Sequence, residues 1–308
     1  MKLSIIVPMY DEQESLDLFF NEIYRVLNQL DKYSYEIICV DDGSKDLTFS
    51  LLKNYAAENK DIKIISFSRN FGKEKAMRAG LEACVGDAAI IADVDLQDPL
   101  EIILEFVKKW EEGYENVYGV RSDRQSDAWF KRFSANCFYK SVNKISDSPI
   151  YQNTGDFRLI DRKVIDAIKE IKDRRPFMKY IYNWSGYKSV GVNYARQKRA
   201  AGKTKFNYWK LWNFALDGIT ASSTLPLRIW TYFGFCIAFC SFLYGGYIVA
   251  KTVIQGIDMP GYASTFTVVL FFGGVQLICL GVIGEYIGRI LEETRRRPEY
   301  IVRESVNF

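Results

Sequence analysis

The segment Asp93-Val94-Asp95-Leu96-Gln97 carries three oxygen-bearing side chains at alternate positions. In an extended segment such positions project to one side and can converge on a single hard cation. Carboxylate and amide oxygens suit Mg2+ or Mn2+, and an ion held there would neutralise a diphosphate and stabilise it as a leaving group. The chain contains no histidine. His-dependent zinc sites, Ser-His and Cys-His nucleophile pairs and the usual proton shuttle are therefore excluded, and catalysis must rest on carboxylates, basic side chains and metal ions. The six cysteines show no metal or disulfide spacing and read as reduced, small hydrophobes.

Those acids need elements to position them. Short β-rich runs recur at Leu3 to Val7, Tyr35 to Val40, Lys63 to Phe67, Ala88 to Ala92 and Asn116 to Val120. Between the first two, Leu16, Phe19, Phe20, Ile23, Leu27 and Leu30 repeat with helical spacing. Such alternation predicts an α/β fold, a doubly wound and mostly parallel sheet with helices on both faces. Asp98 before Pro99 reads as an N-cap and first helical residue, opening a helix to about Glu111. Ligands of such sheets bind at the carboxyl ends of the strands. Acids gather there: Asp11 and Glu12 after the first run, Asp41 and Asp42 after the second, Asp93 and Asp95 after the fourth. A Gly-x-Gly-x-x-Gly segment is missing after the first run, which argues against a dinucleotide-binding dehydrogenase.

The last third of the 308 residues is far more apolar than the rest. No charge appears from Ile229 to Ala250 or from Met259 to Gly284, and each stretch is long enough to cross a bilayer as a helix. Their apolar load is spread all round, which favours two spans over the competing reading, a buried helical hairpin. Arg289, Arg295, Arg296, Arg297 and Arg303 follow the second stretch, so both ends are expected on the cytoplasmic side of an inner (plasma) membrane. The apolar run at the amino terminus is too short for a signal peptide, in keeping with a cytoplasmic soluble domain. Residues 206–226, rich in aromatic side chains interleaved with Lys210 and Asp217, suit a helix lying in the interface, with a core helix as the alternative. The expected division is a soluble domain over 1–205, this interfacial segment, spans over 227–252 and 262–288, and a basic tail over 289–308. A net charge of +3 gives no footprint for nucleic acid.

Four segments appear together and in order: Val7-Pro8-Met9-Tyr10-Asp11-Glu12, Val40-Asp41-Asp42-Gly43-Ser44, Arg69-Asn70-Phe71-Gly72-Lys73 and Asp93-Val94-Asp95-Leu96-Gln97-Asp98-Pro99. In this combination, over almost its whole length, the chain resembles glycosyltransferase family 2, specifically its polyprenyl-phosphate branch. The two carboxy-terminal spans are closer to the bactoprenol glucosyltransferases than to the dolichol-phosphate mannosyltransferases. The resemblance implies a GT-A-like domain that binds a nucleotide sugar, with Pro8, Tyr10, Glu12 and Asp41 around the nucleoside and Asp93 near the ribose and metal. Asp95 and Gln97 would be the direct metal ligands. Arg69 and Lys73 can equally be solvated surface charges and are left outside the site.

The resemblance also implies that Arg121 and Arg132 hold the acceptor phosphate, for which a guanidinium fork is well shaped. Arg199 and Lys205 belong to a basic loop resembling the family's Arg-x-x-Gly-x-Ser-Lys segment, with Thr204 in place of the serine. Such a juxtamembrane cluster also suits anionic lipid. Asp156 matches the position of the family's catalytic base. A phosphate monoester is largely deprotonated at pH 7, so Asp156 is expected to orient the acceptor or to steady positive charge at the anomeric carbon. The implied reaction is inverting transfer of a hexose, glucose by the family's commonest pairing with UDP, to a polyprenyl phosphate such as undecaprenyl phosphate. The resemblance leaves room for a homo-oligomer, dimer or tetramer. Two alternatives remain open: a processive polysaccharide synthase, whose Gln-x-x-Arg-Trp segment is not found, and a membrane-tethered nucleotide-sugar sensor without catalysis.

Overall fold

The computed structural model describes residues 1–122, 154–171, 178–195, 225–255, 261–295 and 297–308. Two compact units emerge, one of Met1–Ala215 with Arg297–Phe308 and one of Leu216–Arg296.

The first unit is built on an eight-stranded sheet. Its strands are β1 (Lys2–Met9), β2 (Ser34–Asp41), β3 (Ile62–Phe67), β4 (Ala88–Ile91), β5 (Asn116–Arg121), β6 (Thr154–Asp161), β7 (Ser189–Tyr194) and β8 (Val302–Val306), in the order β7-β5-β6-β4-β1-β2-β3-β8. Pairings β1–β2, β1–β4, β2–β3 and β5–β7 are parallel. β6 runs antiparallel to both β4 and β5, and β8 runs antiparallel to β3. The five expected strands are all present. β6, β7 and β8 were not expected.

Strand periodicity decides the layers. Leu3, Ile5, Val7 and Met9 of β1 enter one core with Leu16, Phe19, Phe20 and Ile23 of α1 (Leu16–Leu27), Leu52 of α2 (Thr48–Glu58) and Phe106 of α4 (Ile102–Glu111). Ile6 of β1 enters the other, with Ala76, Met77 and Leu81 of α3 (Lys73–Ala83), Val164 and Ile165 of α5 (Arg162–Glu170) and Tyr182 of α6 (Met178–Trp184). Helices therefore cover both faces, as a doubly wound sheet requires. α3 lies so close to β1 that a Cβ on Gly80 would stand 2.3 Å from a methyl of Ile6.

Two local expectations fail. Asp98 does not cap α4: the helix begins at Ile102, after a turn in which Ile102 N–H donates to the Pro99 carbonyl at 3.2 Å. The Asp98 carboxylate is taken instead by Arg121 and Tyr194. Residues 289–308 are not a free basic tail, because the long final helix reaches Thr294 and Val302–Val306 adds an edge strand to the sheet. Tyr300 stacks on Phe67 with ring centroids 4.7 Å apart, and Arg303 Nη2 donates to Ser66 Oγ at 3.0 Å.

The second unit is a pair of long helices, α7 (Leu225–Gln255) and α8 (Tyr262–Thr294). At 1.5 Å per residue each exceeds the ~30 Å of a hydrocarbon layer. Phe235, Phe239 and Leu243 of α7 and Phe271, Leu277 and Ile290 of α8 are exposed. Among the described residues one helical window, Phe271–Gly288, is apolar enough by composition to cross a membrane. Residues 206–224 of the expected interfacial segment lie outside the described residues.

Candidate active site

The loops at the carboxyl ends of β1, β2 and β3 are laced together by side chains bonding to backbone. Asp11, with φ +50°, donates its N–H to Ser44 Oγ at 2.9 Å and accepts from Lys45 N–H at 2.7 Å. Glu12 N–H donates to Thr48 Oγ1 at 2.9 Å. Asp42 accepts the N–H groups of Phe71 and Gly72 at 2.6 and 2.9 Å. Burial raises the Asp42 pKa, against the pull of those two donors. Gly43, at φ +68°, lies against the Arg69 backbone, where a Cβ would come within 2.4 Å. These acids order the loops.

Asp41, at the end of β2, is fully buried. Its two carboxylate oxygens accept from Ser44 N–H at 3.0 Å and from the Ser66 hydroxyl at 2.7 Å. It therefore forms part of the floor, with Arg303 of β8 reaching the same Ser66 from below. Pro8 is buried in β1, while Tyr10 and Glu12 are partly exposed in the loop above it.

Residues 93–97 depart from the expected geometry. β4 ends at Ile91, Val94 and Asp95 form a turn, and Leu96 adopts a left-handed φ of +52°. Alternation along an extended strand therefore cannot be what brings these side chains together. Within the turn, Gln97 N–H donates to Asp95 Oδ1 at 3.2 Å. Asp93, Asp95 and Gln97 offer oxygen donors only, the chemistry of a hard cation. Among the described residues no group of three or more Asp, Glu, Cys or His side chains forms a metal-holding cluster.

Sheet register explains how Asp156 joins Asp93. Ile91 of β4 pairs with Arg158 of β6, and these strands are antiparallel. Two residues onward from Ile91 and two back from Arg158 are therefore Asp93 and Asp156. Between them sits Lys73, the first residue of α3, whose ammonium contacts Asp93 Oδ1 at 2.6 Å and Asp156 Oδ2 at 2.9 Å. Burial works against a charged Lys73, but Asp156 and Asp93 outweigh it and raise its pKa. Burial likewise raises Asp93, with Lys73 pulling it down and Asp156 and Asp95 pushing it up.

Behind Asp156, Arg158 is buried with its guanidinium 3.9 Å from the Tyr182 ring centroid and donates to the Gly155 carbonyl at 3.1 Å. Arg121 closes β5, donating Nη2–H to Asp98 at 3.1 Å and Nε–H to Tyr194 Oη at 3.2 Å, while Tyr194 donates to Asp98 at 2.7 Å. A Cβ on Gly155 would lie 2.9 Å from Arg121 Nη2, so Arg121 borders the Asp156 strand. Arg132, Arg199 and Lys205 lie outside the described residues.

A strand-end cluster of this kind on a doubly wound sheet coincides with a match of residues 4–169 to the model for glycosyl transferase family 2. The chain belongs to that family. Residues 225–290 match a second model, the GtrB C-terminal hairpin, and together the two place the transferase in the family's polyprenyl-phosphate branch. Among its relatives, an uncharacterized glycosyltransferase of Synechocystis sp. is 51% identical over 99% of this chain and 95% of that protein. The bactoprenol glucosyl transferase of Shigella phage SfII is 48% identical, covering 99% and 98%. The prophage bactoprenol glucosyl transferase homolog of Escherichia coli K12 is also 48% identical, covering 98% and 99%. A mannosyltransferase from Pyrobaculum calidifontis, solved with GDP-Man and Mn2+, superposes with a TM-score of 0.47 at 16% identity over 96% of this chain and 88% of that one.

For this family 2 transferase, sequence reasoning left Lys73 outside the site and did not foresee the Asp98–Tyr194 pair. Lys73 stood within the quoted Arg69-to-Lys73 motif, and that was the available signal. Its partners depend on a β4–β6 register that no local pattern encodes.

Proposed function

We propose that the protein transfers glucose from UDP-glucose to undecaprenyl phosphate with inversion, at the cytoplasmic face of a membrane crossed by α7 and α8. One observation carries this reading: Asp93, just past the carboxyl end of β4, and Asp156, near the amino end of the antiparallel β6, are brought together in a chain that matches bactoprenol glucosyl transferases end to end. Pro8, Tyr10 and Glu12 border the nucleoside, and Asp41 shapes that pocket from beneath through Ser44 and Ser66.

Asp93, Asp95 and Gln97 would hold Mg2+ or Mn2+, which when bound neutralises the diphosphate. The oxygen donors of these three side chains suit such a hard cation, which would supply positive charge to the leaving diphosphate. An oxygen of the acceptor phosphate forms the new bond to the anomeric carbon as the bond from that carbon to the diphosphate breaks, and UDP departs with the electron pair. Asp156 meets the anomeric centre as an anion, orienting the acceptor and stabilising the positive charge that grows there. Arg121, braced by Asp98 and Tyr194, acts with Arg132, Arg199 and Lys205 on the acceptor phosphate.

The test is UDP release by the purified full chain, assayed with a panel of sugar nucleotides, with and without undecaprenyl phosphate and with and without EDTA. Release from UDP-glucose that requires both the lipid and a divalent ion is the expected result. A polymeric product would mark a processive synthase, and nucleotide binding without release under any condition would mark a sensor. Either would overturn the assignment.

A further inference from the structure

Lys73 occupies a position that the reaction cannot leave alone. Its ammonium touches Asp93 on one side and Asp156 on the other, at 2.6 and 2.9 Å, so one cation bridges an acid assigned to the metal and the acid assigned to the sugar. Two carboxylates that share one partner repel each other unless a positive charge stands between them. The lysine supplies that charge from the start of α3, following Gly72 at φ +103°. Its side chain is 42% exposed. An ammonium on a flexible four-carbon stem can change partners with less rearrangement than the guanidinium of the buried Arg158 behind it.

We propose that Lys73 is the site's resident counter-cation, a positioning residue that holds Asp93 and Asp156 together in the absence of donor and must release Asp93 when a divalent ion arrives. The lysine and the ion compete for one carboxylate, so an ion alone binds weakly. An incoming nucleoside diphosphate offers the displaced ammonium a new anionic partner and supplies oxygens to the ion. Metal binding is thereby conditional on nucleotide. The site stays closed to free cations, and its acids remain paired between turnovers. This inference rests on the metal reading of Asp93, Asp95 and Gln97 given above.

The experiment titrates Mn2+ into the full chain in detergent, following free Mn2+ by electron paramagnetic resonance, with and without UDP. Lys73→Met removes the competing charge, and Lys73→Arg retains it. Without UDP, Lys73→Met should bind Mn2+ about tenfold tighter than the parent protein, while Lys73→Arg stays within about threefold of it. With UDP the gap between Lys73→Met and the parent should close or reverse. Equal or weaker nucleotide-free binding by Lys73→Met overturns the competition, as does tight binding by Lys73→Arg. If Lys73→Met does not fold, Lys73→Gln carries the same test. Mn2+ binding by the parent with UDP, but no gap between the variants, sinks the lysine proposal alone. No Mn2+ binding by the parent even with UDP sinks the metal reading as well.

Discussion

Two acid sites in the sheet, Glu36 and the Asp93–Asp156 pair, are held differently. Near the amino ends of the strands, Glu36 is fully buried and held by fixed partners: the Ser4 hydroxyl at 2.6 Å, Val85 N–H at 2.9 Å, and the ammonium groups of Lys63 and Lys2 at 2.9 and 3.3 Å. Past the carboxyl end of β4, Asp93 meets Asp156 of the antiparallel β6 across one half-exposed lysine. A carboxylate saturated by backbone, hydroxyl and two cations is a structural weld. One that shares a single half-exposed cation with a neighbour has fewer partners to give up on exchange.

The comparison breaks most visibly at the exchangeable end. Asp95→Ala should lower glucosyl transfer by about 10³-fold or more, since the diphosphate loses a ligand to its neutralising ion, while the thermal midpoint and membrane insertion stay at the parent values. Asp156→Asn should lower turnover by about 10²-fold with nucleotide-dependent Mn2+ binding intact. Full turnover in either variant would remove that residue from the mechanism.

The opposite end should answer in the opposite currency. Glu36→Ala leaves Lys63 and Lys2 facing each other without their anion and strands the Val85 N–H, so unfolding should become easier by about 3 kcal/mol. Transfer per folded molecule should be unchanged, as measured by activity at a temperature below the lowered midpoint. A loss of turnover without a loss of stability would show that the two ends are not separable.

A pH series sharpens the same contrast. Burial opposes the Glu36 charge, but Ser4, Val85 and Lys63 prevail and lower its pKa from 4.5 to about 2. A carboxyl depressed in the folded state contributes stability that is fully present above its unfolded pKa and is lost as pH falls through the folded value. The thermal midpoint should therefore decline between pH 4.5 and 2, by an amount worth a few kcal/mol, and Glu36→Gln should flatten that part of the curve. An unchanged slope in Glu36→Gln would locate acid sensitivity elsewhere.

The division between what sequence disclosed and what it hid follows the same line. β1 to β5 were legible because each is a short apolar run between helical patterns, and the acids at their ends were legible because strand ends are where such sheets bind ligands. β8 was hidden because Val302–Val306 holds only two apolar residues around Arg303-Glu304-Ser305 and follows an arginine run that reads as a tail; only pairing with β3 makes it a strand. Asp98 before Pro99 looked like a cap because that dipeptide usually is one, and the partners that overrode it, Arg121 and Tyr194, stand 23 and 96 residues away in the chain. The turn at Leu96 was hidden because its left-handed backbone belongs to a residue that rarely adopts it. Local pattern found which residues matter. Register and long-range pairing decided what they touch.

The smallest expected effect tests whether position or partnership governs the contrast. Arg121 stands at the carboxyl end of β5, among the exchangeable acids, yet Asp98 and Tyr194 both hold it in place. If partnership governs, Arg121 is pre-set for the acceptor phosphate and loosening it by one hydrogen bond should show. Tyr194→Phe removes the hydroxyl that donates to Asp98 and accepts from Arg121, a loss of about 1 kcal/mol. The KM for undecaprenyl phosphate should rise about fivefold, with kcat and the KM for UDP-glucose within twofold of the parent. A rise in both KM values would mean that the hydroxyl merely supports the sheet edge. No change in either would mean that Asp98 alone sets the guanidinium, and that Arg121 owes its place to where β5 ends.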